Sequence, residues 1–222
     1  TLLENILSKI EGRFAALKEK KSFSFKEKSL MDVLATSVKF APTIISGVND
    51  AKKVMRTPER FFDFSTYKQA DMVIKSALKL VSDAYSPSIL TLSTFESGTR
   101  AEESTQRATE FARNNDINPF IDLYEKALLP SESWEDYNLV GISIVGISQI
   151  LPGLTLARLL KAKYPHLHIT LGGPIFSVNS KQLMGHPEFF QEFCDSIVTF
   201  EGEEPLHRLL TTLKNGSTLK SV

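Results

Sequence analysis

The segment from Asp136 to Gly173 constrains the fold of this chain more than any other segment does. Leu139 to Ile144 is a nearly unbroken apolar, β-branched run, as expected of a parallel strand that is covered on both faces. Pro152-Gly153 introduces a helix with one apolar side, Tyr164-Pro165 ends that helix, and Leu167 to Leu171 returns as a second short strand. This order predicts a strand–helix–strand unit, whose ligands bind beyond the carboxyl ends of the strands.

The same pattern continues further along the chain. Ser196 to Phe200 reads as a third short strand, and Glu201 to Pro205 introduces a helix whose leucines recur at i, i+3, i+4 and i+7. Strands that alternate with helices at this spacing predict an α/β fold. We therefore expect a doubly wound, mainly parallel sheet of the Rossmann or flavodoxin-like type over residues 136–222.

Residues 1–135 are predicted to be a mostly helical segment. Apolar residues between Leu3 and Leu17 share one helical face, and two short helices are expected at 30–40 and 43–55, separated by Ala41-Pro42. Thr66-x-x-Gln69 fits the capping box that begins a further helix. These elements predict a helical segment that precedes the α/β domain.

Composition narrows the possible partners and compartments. The 222 residues include 26 basic and 26 acidic side chains, so the total charge favours no nucleic-acid partner, and no apolar run is long enough for a membrane span. The chain has one cysteine, Cys194, which excludes an internal disulfide and an iron–sulfur site built from this chain's own cysteines. We expect Cys194 to be a small buried hydrophobe. No signal peptide is visible, so the cytoplasm is the default location that we expect.

Three groups of polar or small residues lie where the predicted strands end. Gly172-Gly173 either lets the backbone approach a ligand or makes a tight turn with positive φ. Ser143 closes the first strand and Ser148-Gln149 follows it in a long loop, where such groups hold polar ligands or are simply solvated. Glu201-Gly202-Glu203 follows the third strand, either at the binding edge or as an ordinary acidic helix start.

The residues themselves indicate no catalytic set. The four histidines are scattered without metal-ligand spacing, and no nucleophile with a base and an orienting group can be assembled. Gly-x-Gly-x-x-Gly and the P-loop pattern are both absent. The residues therefore predict a ligand-binding α/β domain.

Five segments, in order and spacing, resemble the cobalamin-binding domain of cobalamin-dependent radical S-adenosylmethionine enzymes. Among those enzymes, the chain is most similar to proteins named for the anaerobic Mg-protoporphyrin monomethyl ester oxidative cyclase and to peptide-modifying relatives. The segments are Leu139-Val-Gly-Ile-Ser-Ile144, Gln149-Ile-Leu-Pro-Gly-Leu-Thr-Leu-Ala-Arg-Leu-Leu160, His168-Ile-Thr-Leu-Gly-Gly173, Cys194-Asp-Ser-Ile-Val198 and Phe200-Glu-Gly-Glu-Glu-Pro-Leu206.

The resemblance implies base-off cobalamin across the carboxyl edge of the sheet, with its nucleotide tail inserted into the domain. It places Ser143, Ser148 and Gln149 along the corrin or tail, Gly172-Gly173 beside the tail, and Glu201-Gly202-Glu203 at the same edge. The family's common Gly-Glu-Gly-Glu has Phe200 in its first position here, and the Asp-x-His-x-x-Gly motif that supplies an axial histidine is absent.

The resemblance also implies that this chain is one module of a longer enzyme. The Cys-x-x-x-Cys-x-x-Cys motif is absent, so S-adenosylmethionine and the 4Fe-4S cluster would belong to a radical domain that follows in the parent polypeptide. That parent would be a methyltransferase or an oxidative cyclase, an oxidoreductase.

Two other classes of function stay open at this stage. One is a regulatory or interaction domain that shares the fold without the ligand, in which apolar side chains would fill the region around the Ile144–Gly153 loop and Gly172-Gly173. The other is a free-standing enzyme, which would need a titratable pair in the cleft, and the sequence offers Glu201 and Glu203.

Overall fold

A computed structural model describes residues 1–215, so residues 216–222 at the end of the predicted α/β domain lie outside the described residues. The chain divides by packing into two units. Unit 1 comprises residues 1–100 with 115–119, and unit 2 comprises residues 101–114 with the chain from Phe120 onward. The predicted domain boundary between residues 135 and 136 lies shortly before the parallel sheet. It stays a prediction.

Unit 1 is built from helices and one short antiparallel ribbon. Its elements are α1 (Leu2–Lys18), α2 (Phe25–Val54), α3 (Pro58–Phe61), α4 (Phe64–Ala84), β1 (Ile89–Leu90) and β2 (Phe95–Glu96). The predicted first helix is confirmed, because Ile6, Ile10 and Leu17 of α1 are buried in one core with residues of α2 and α4.

Two local predictions in unit 1 are wrong. α2 runs unbroken through Pro42, because the apolar stripe continues on both sides: Leu34 packs in the core with α1, and Val54 packs in a second cluster near the other end. This burial outweighs the backbone hydrogen bond that a proline removes. α4 begins at Phe64, because the side chain of Asp63, not Thr66, caps it by accepting the Thr66 N–H at 2.8 Å.

Unit 2 alternates helices with a parallel sheet. Its elements are α5 (Thr105–Arg113), α6 (Pro119–Leu123, whose first residue belongs to unit 1), β3 (Leu139–Ser143), α7 (Ile150–Lys163), β4 (His168–Gly172), α8 (Pro174–Leu183), α9 (Pro187–Phe193), β5 (Ser196–Val198) and α10 (Glu203–Lys214). The three predicted strands are confirmed to within two residues at each end, whereas sequence reasoning assigned no helix to α8 or α9.

The predicted doubly wound sheet is wrong. The protein is 68% helical, and its strands within residues 1–215 form a three-stranded parallel sheet and the two-stranded ribbon of unit 1. A doubly wound sheet reverses its strand order where its second half begins, whereas β3, β4 and β5 lie side by side in chain order. The sequence pattern is local: it predicts each strand–helix unit but not how many strands join.

The two faces of the parallel sheet differ in composition. Val140 pairs with Ile169, and Ile142 with Leu171, so one face is apolar; α7 packs on it, with Gly153 directly over Ile144. The opposite face, which we call the small-residue face, carries residues with short side chains. It consists of Gly141 and Ser143 of β3, Thr170 and Gly172 of β4, and Ser196 and Val198 of β5.

The small-residue face is partly open within residues 1–215. Gly141 and Ser143 are exposed, and no residue of β3 is fully buried. The expectation that this strand is covered on both faces is therefore wrong. An open face at the carboxyl end of a parallel sheet is available to a ligand.

A candidate ligand cleft on the small-residue face

A cleft of about 490 Å³ lies on the small-residue face at the carboxyl ends of the three strands. Its floor is made by Gly141, Ser143, Thr170 and Gly172. Its wall is made by Val198, Phe200, Gly202, Glu203 and Leu206, from the end of β5, the following loop and the first turn of α10. The volume lies within the range of small-molecule sites.

The two glycines of the predicted pair have different roles. Gly173 adopts φ +103°, and a Cβ there would overlap the backbone of Ile144, so the turn itself requires glycine. At Gly172 a Cβ would meet nothing closer than the Val198 carbonyl oxygen, at 3.5 Å. Of the two predicted alternatives, Gly173 thus makes the tight turn with positive φ, while Gly172 leaves the cleft floor open.

The serine and glutamine residues do not all reach the cleft. Ser143 lies on the floor, whereas neither Ser148 nor Gln149 lines the cleft. The Gln149 Oε1 atom instead accepts the Val145 N–H at 2.8 Å and the Gly146 N–H at 3.3 Å. Gln149 therefore stabilises the loop after β3, which fixes the end of that strand.

The acidic segment after β5 contributes two of its three predicted residues. Gly202 and Glu203 line the cleft, whereas Glu201 is exposed outside it. α10 begins at Glu203, earlier than the leucine repeat alone indicates, so its first turn forms part of the wall. Among residues 1–215, Glu203 is the one titratable group that lines the cleft.

A hydrogen-bonded ladder that sequence reasoning missed crosses the small-residue face. The His168 Nε2 atom lies 2.8 Å from the Ser196 Oγ atom, which donates to the Thr170 Oγ1 atom at 3.0 Å. Burial lowers the pKa of His168, and the nearby Asp195 carboxylate partly opposes this shift. The register of β4 with β5 creates the ladder, and sequence alone does not specify that register.

Cys194 is fully buried, as expected of a small hydrophobe before a strand. Burial raises the pKa of its thiol to about 12. Among residues 1–215 no group of three or more histidine, cysteine or acidic side chains is placed to hold a metal ion. In the same residues, no helix combines the length and apolar character needed to cross a membrane.

A second hollow of about 550 Å³ lies elsewhere in unit 2, among residues of α5, α7, α8 and α9. Charged groups on its rim pair with neighbours: Glu103 with Arg107 at 3.4 Å, and His186 with Glu188 at 2.7 Å. None of the predicted site residues lines this hollow. The cleft on the small-residue face is therefore the better candidate site.

Comparisons with protein-family models, curated proteins and solved structures find no match to this chain.

Proposed function

We propose that unit 2 is a cobalamin-binding module whose cleft on the small-residue face holds the cofactor. The observation that carries this proposal is the convergence on one cleft of five residues from three separately predicted groups: Ser143, Gly172, Gly173, Gly202 and Glu203. They come from three different segments of the chain, at the ends of β3 and β4 and after β5. The sequence resemblance supplies the identity of the ligand.

The chemistry of the cleft fits part of a cobalamin. Glycines at 141 and 172 let a flat group lie directly on the strands, and the hydroxyls of Ser143 and Thr170 are close to that surface. Cobalamin carries amide groups around its corrin and a ribose in its tail, and the Glu203 carboxylate can accept hydrogen bonds from either. A cleft of about 490 Å³ suits the nucleotide tail rather than the whole cofactor.

Within the described residues 1–215, the cleft lining includes no histidine that could serve as an axial ligand for cobalt. None of the four histidines lines the cleft, and His168 lies at the opposite end of its strand, beside Ser196. We therefore propose binding through the tail and the corrin periphery, without a histidine from this cleft on the metal.

In this proposal the reaction belongs to a parent enzyme. Bound cobalamin supplies methyl-transfer or one-electron chemistry, and the protein supplies position and environment. The radical domain with its S-adenosylmethionine and iron–sulfur cluster would be a partner within the same polypeptide. The free-standing-enzyme alternative is weaker, because Glu201 does not join Glu203 in the cleft.

A second candidate, an interaction domain without a ligand, is favoured by one observation. The loops at the carboxyl edge expose three apolar side chains: Val145 at 63%, Ile147 at 66% and Phe200 at 83%. Exposed apolar groups of this kind also occur where another protein binds. The open floor at Gly172 argues for a ligand instead, because an interaction domain needs no cleft there.

Titration with hydroxocobalamin tests the two candidates. We expect the purified chain to retain bound corrin through gel filtration, and we expect Gly172→Val to abolish retention because the new side chain projects into the cleft. Gly173→Val is unsuitable, since it would disrupt the turn. Gly146→Val is the matched control: a Cβ at Gly146 meets no atom within 4 Å, and the residue lies outside the cleft. Absence of binding by the wild-type chain would refute the proposal.

A further inference from the structure

We infer that Phe200 is a specificity-determining residue whose ring stacks on a planar conjugated group of the ligand in the cleft. This inference rests on the proposed function, since it concerns the same cleft. It starts from the backbone. Phe200 has φ +58°, in the left-handed region that is unfavourable for residues with a Cβ.

The backbone gives no reason for a phenylalanine at this position. Two residues further on, Gly202 has an ordinary φ of −78°. Gly202, which could adopt a left-handed backbone at little cost, thus has an ordinary one, whereas Phe200 has the left-handed backbone that favours glycine. Strain of this kind is typical of binding sites, where the side chain is needed for a contact.

Packing gives no reason for Phe200 either. Its side chain is 83% exposed, so it contributes little to the core of unit 2. Its backbone is nevertheless held firmly, because the Phe200 N–H donates to the Ser177 Oγ atom at 2.7 Å. Ser177 in turn donates to the Gly173 carbonyl at 3.3 Å, which links the loop after β5 to the turn after β4.

The cleft gives a reason for a phenylalanine at position 200. Phe200 lines the same cleft as Gly141 and Gly172, which have no side chains. A planar group that lies on this floor has a free face, and an aromatic ring stacks favourably on such a face. The base of a nucleotide tail and the corrin both have this shape. Phe200 therefore favours planar conjugated ligands over non-planar ones.

Substitutions at Phe200 separate the strain from the contact. Phe200→Leu keeps the Cβ and removes the ring, so we expect hydroxocobalamin to bind roughly 3- to 10-fold more weakly, with an unchanged melting temperature. Phe200→Gly also removes the strain, so we expect the same loss of affinity together with a rise of about 2 °C in Tm. Phe62→Leu is the control, because Phe62 is 82% exposed and does not line the cleft.

Titrations with two different ligands identify the group on which the Phe200 ring stacks. Cobinamide has the corrin without the nucleotide, so a loss seen with hydroxocobalamin and not with cobinamide assigns the ring to the base, while a loss with both assigns it to the corrin. Wild-type affinity in Phe200→Leu would overturn the role of Phe200 and leave the proposed function intact. Failure of the wild-type chain to bind hydroxocobalamin would overturn the proposed function, and the role of Phe200 with it.

Discussion

The substitution Gly141→Val should stabilise the protein while it fills the candidate cleft. Glycine inside a strand is unfavourable by about 0.5–1 kcal/mol relative to alanine, because it has more freedom to lose on folding. A Cβ at position 141 would meet the Thr170 Cγ2 atom at 3.6 Å, which is ordinary contact, and Thr170 is the cross-strand partner of Gly141. Directly opposed pairs contribute about 0.2–1 kcal/mol in antiparallel sheets, and we apply the same range to this parallel pair.

The two contributions together predict that Gly141→Val raises the free energy of unfolding by about 1 kcal/mol, or Tm by about 2–4 °C. Urea unfolding followed by circular dichroism measures this change. The same side chain fills the cleft floor, so hydroxocobalamin should no longer be retained in gel filtration.

Gly12→Ala is the control for stability alone. Gly12 lies within α1, where a Cβ meets no atom within 4 Å, so alanine should stabilise that helix by about 1 kcal/mol and leave binding unchanged. A loss of stability in Gly141→Val would show that the small-residue face is packed rather than open. Full retention of hydroxocobalamin by Gly141→Val would show that the cleft is not the site.

Three other predictions concern the scaffold. Gly173→Ala should lower the free energy of unfolding by about 2 kcal/mol or more, because its Cβ would overlap the Ile144 backbone; stability equal to wild type in urea would contradict the turn geometry. Arg13→Met should cost about 1–3 kcal/mol, because the guanidinium donates to the Ala84 carbonyl at 2.6 Å and that carbonyl would lose its partner; an unchanged urea midpoint would contradict this. Burial raises the pKa of the Cys194 thiol to about 12, so the folded chain should resist iodoacetamide at pH 8 and react only after unfolding; rapid labelling of the folded chain would contradict the burial. The free energy of unfolding should also fall as the pH rises from about 9 towards 12, because the thiol ionises in the unfolded chain before it ionises in the folded one.

The local elements of unit 2 could be predicted from sequence, because each depends on neighbouring residues. The apolar run of β3, the leucine repeat of α10, Pro152 in the first turn of α7 and Pro165 after its last turn all act over a few positions. In contrast, the continuous α2 depends on burial of its residues against other helices, and this overrides the local effect of Pro42.

The sequence of β3 contains two patterns that predict opposite environments for its small-residue face. Val140, Ile142 and Ile144 alternate with Gly141 and Ser143, and this period of two indicates a strand with one apolar face. The nearly unbroken apolar run of the same residues predicts a strand covered on both faces, and the structure shows that the period of two is the correct guide. The pairing of β3 with β4 then determines which residues share the floor of the candidate cleft, because it places Thr170 and Gly172 beside Gly141 and Ser143.

The candidate site could be predicted only in part. Ser143, Gly172, Gly173, Gly202 and Glu203 line the cleft, because the carboxyl ends of parallel strands meet at one edge. Ser148, Gln149 and Glu201 have suitable chemistry, but their placement depends on loop conformation. The left-handed backbone of Phe200 leaves no local signal in the sequence at all.

Hydrogen exchange with and without hydroxocobalamin tests the central claim most directly, because it locates the ligand. We predict slower amide exchange at the carboxyl edge, in residues 141–146, 170–173 and 198–206, with unchanged exchange in α1 and α2. Saturating hydroxocobalamin that leaves these segments unchanged, or that protects only residues outside them, would contradict the assignment of the cleft.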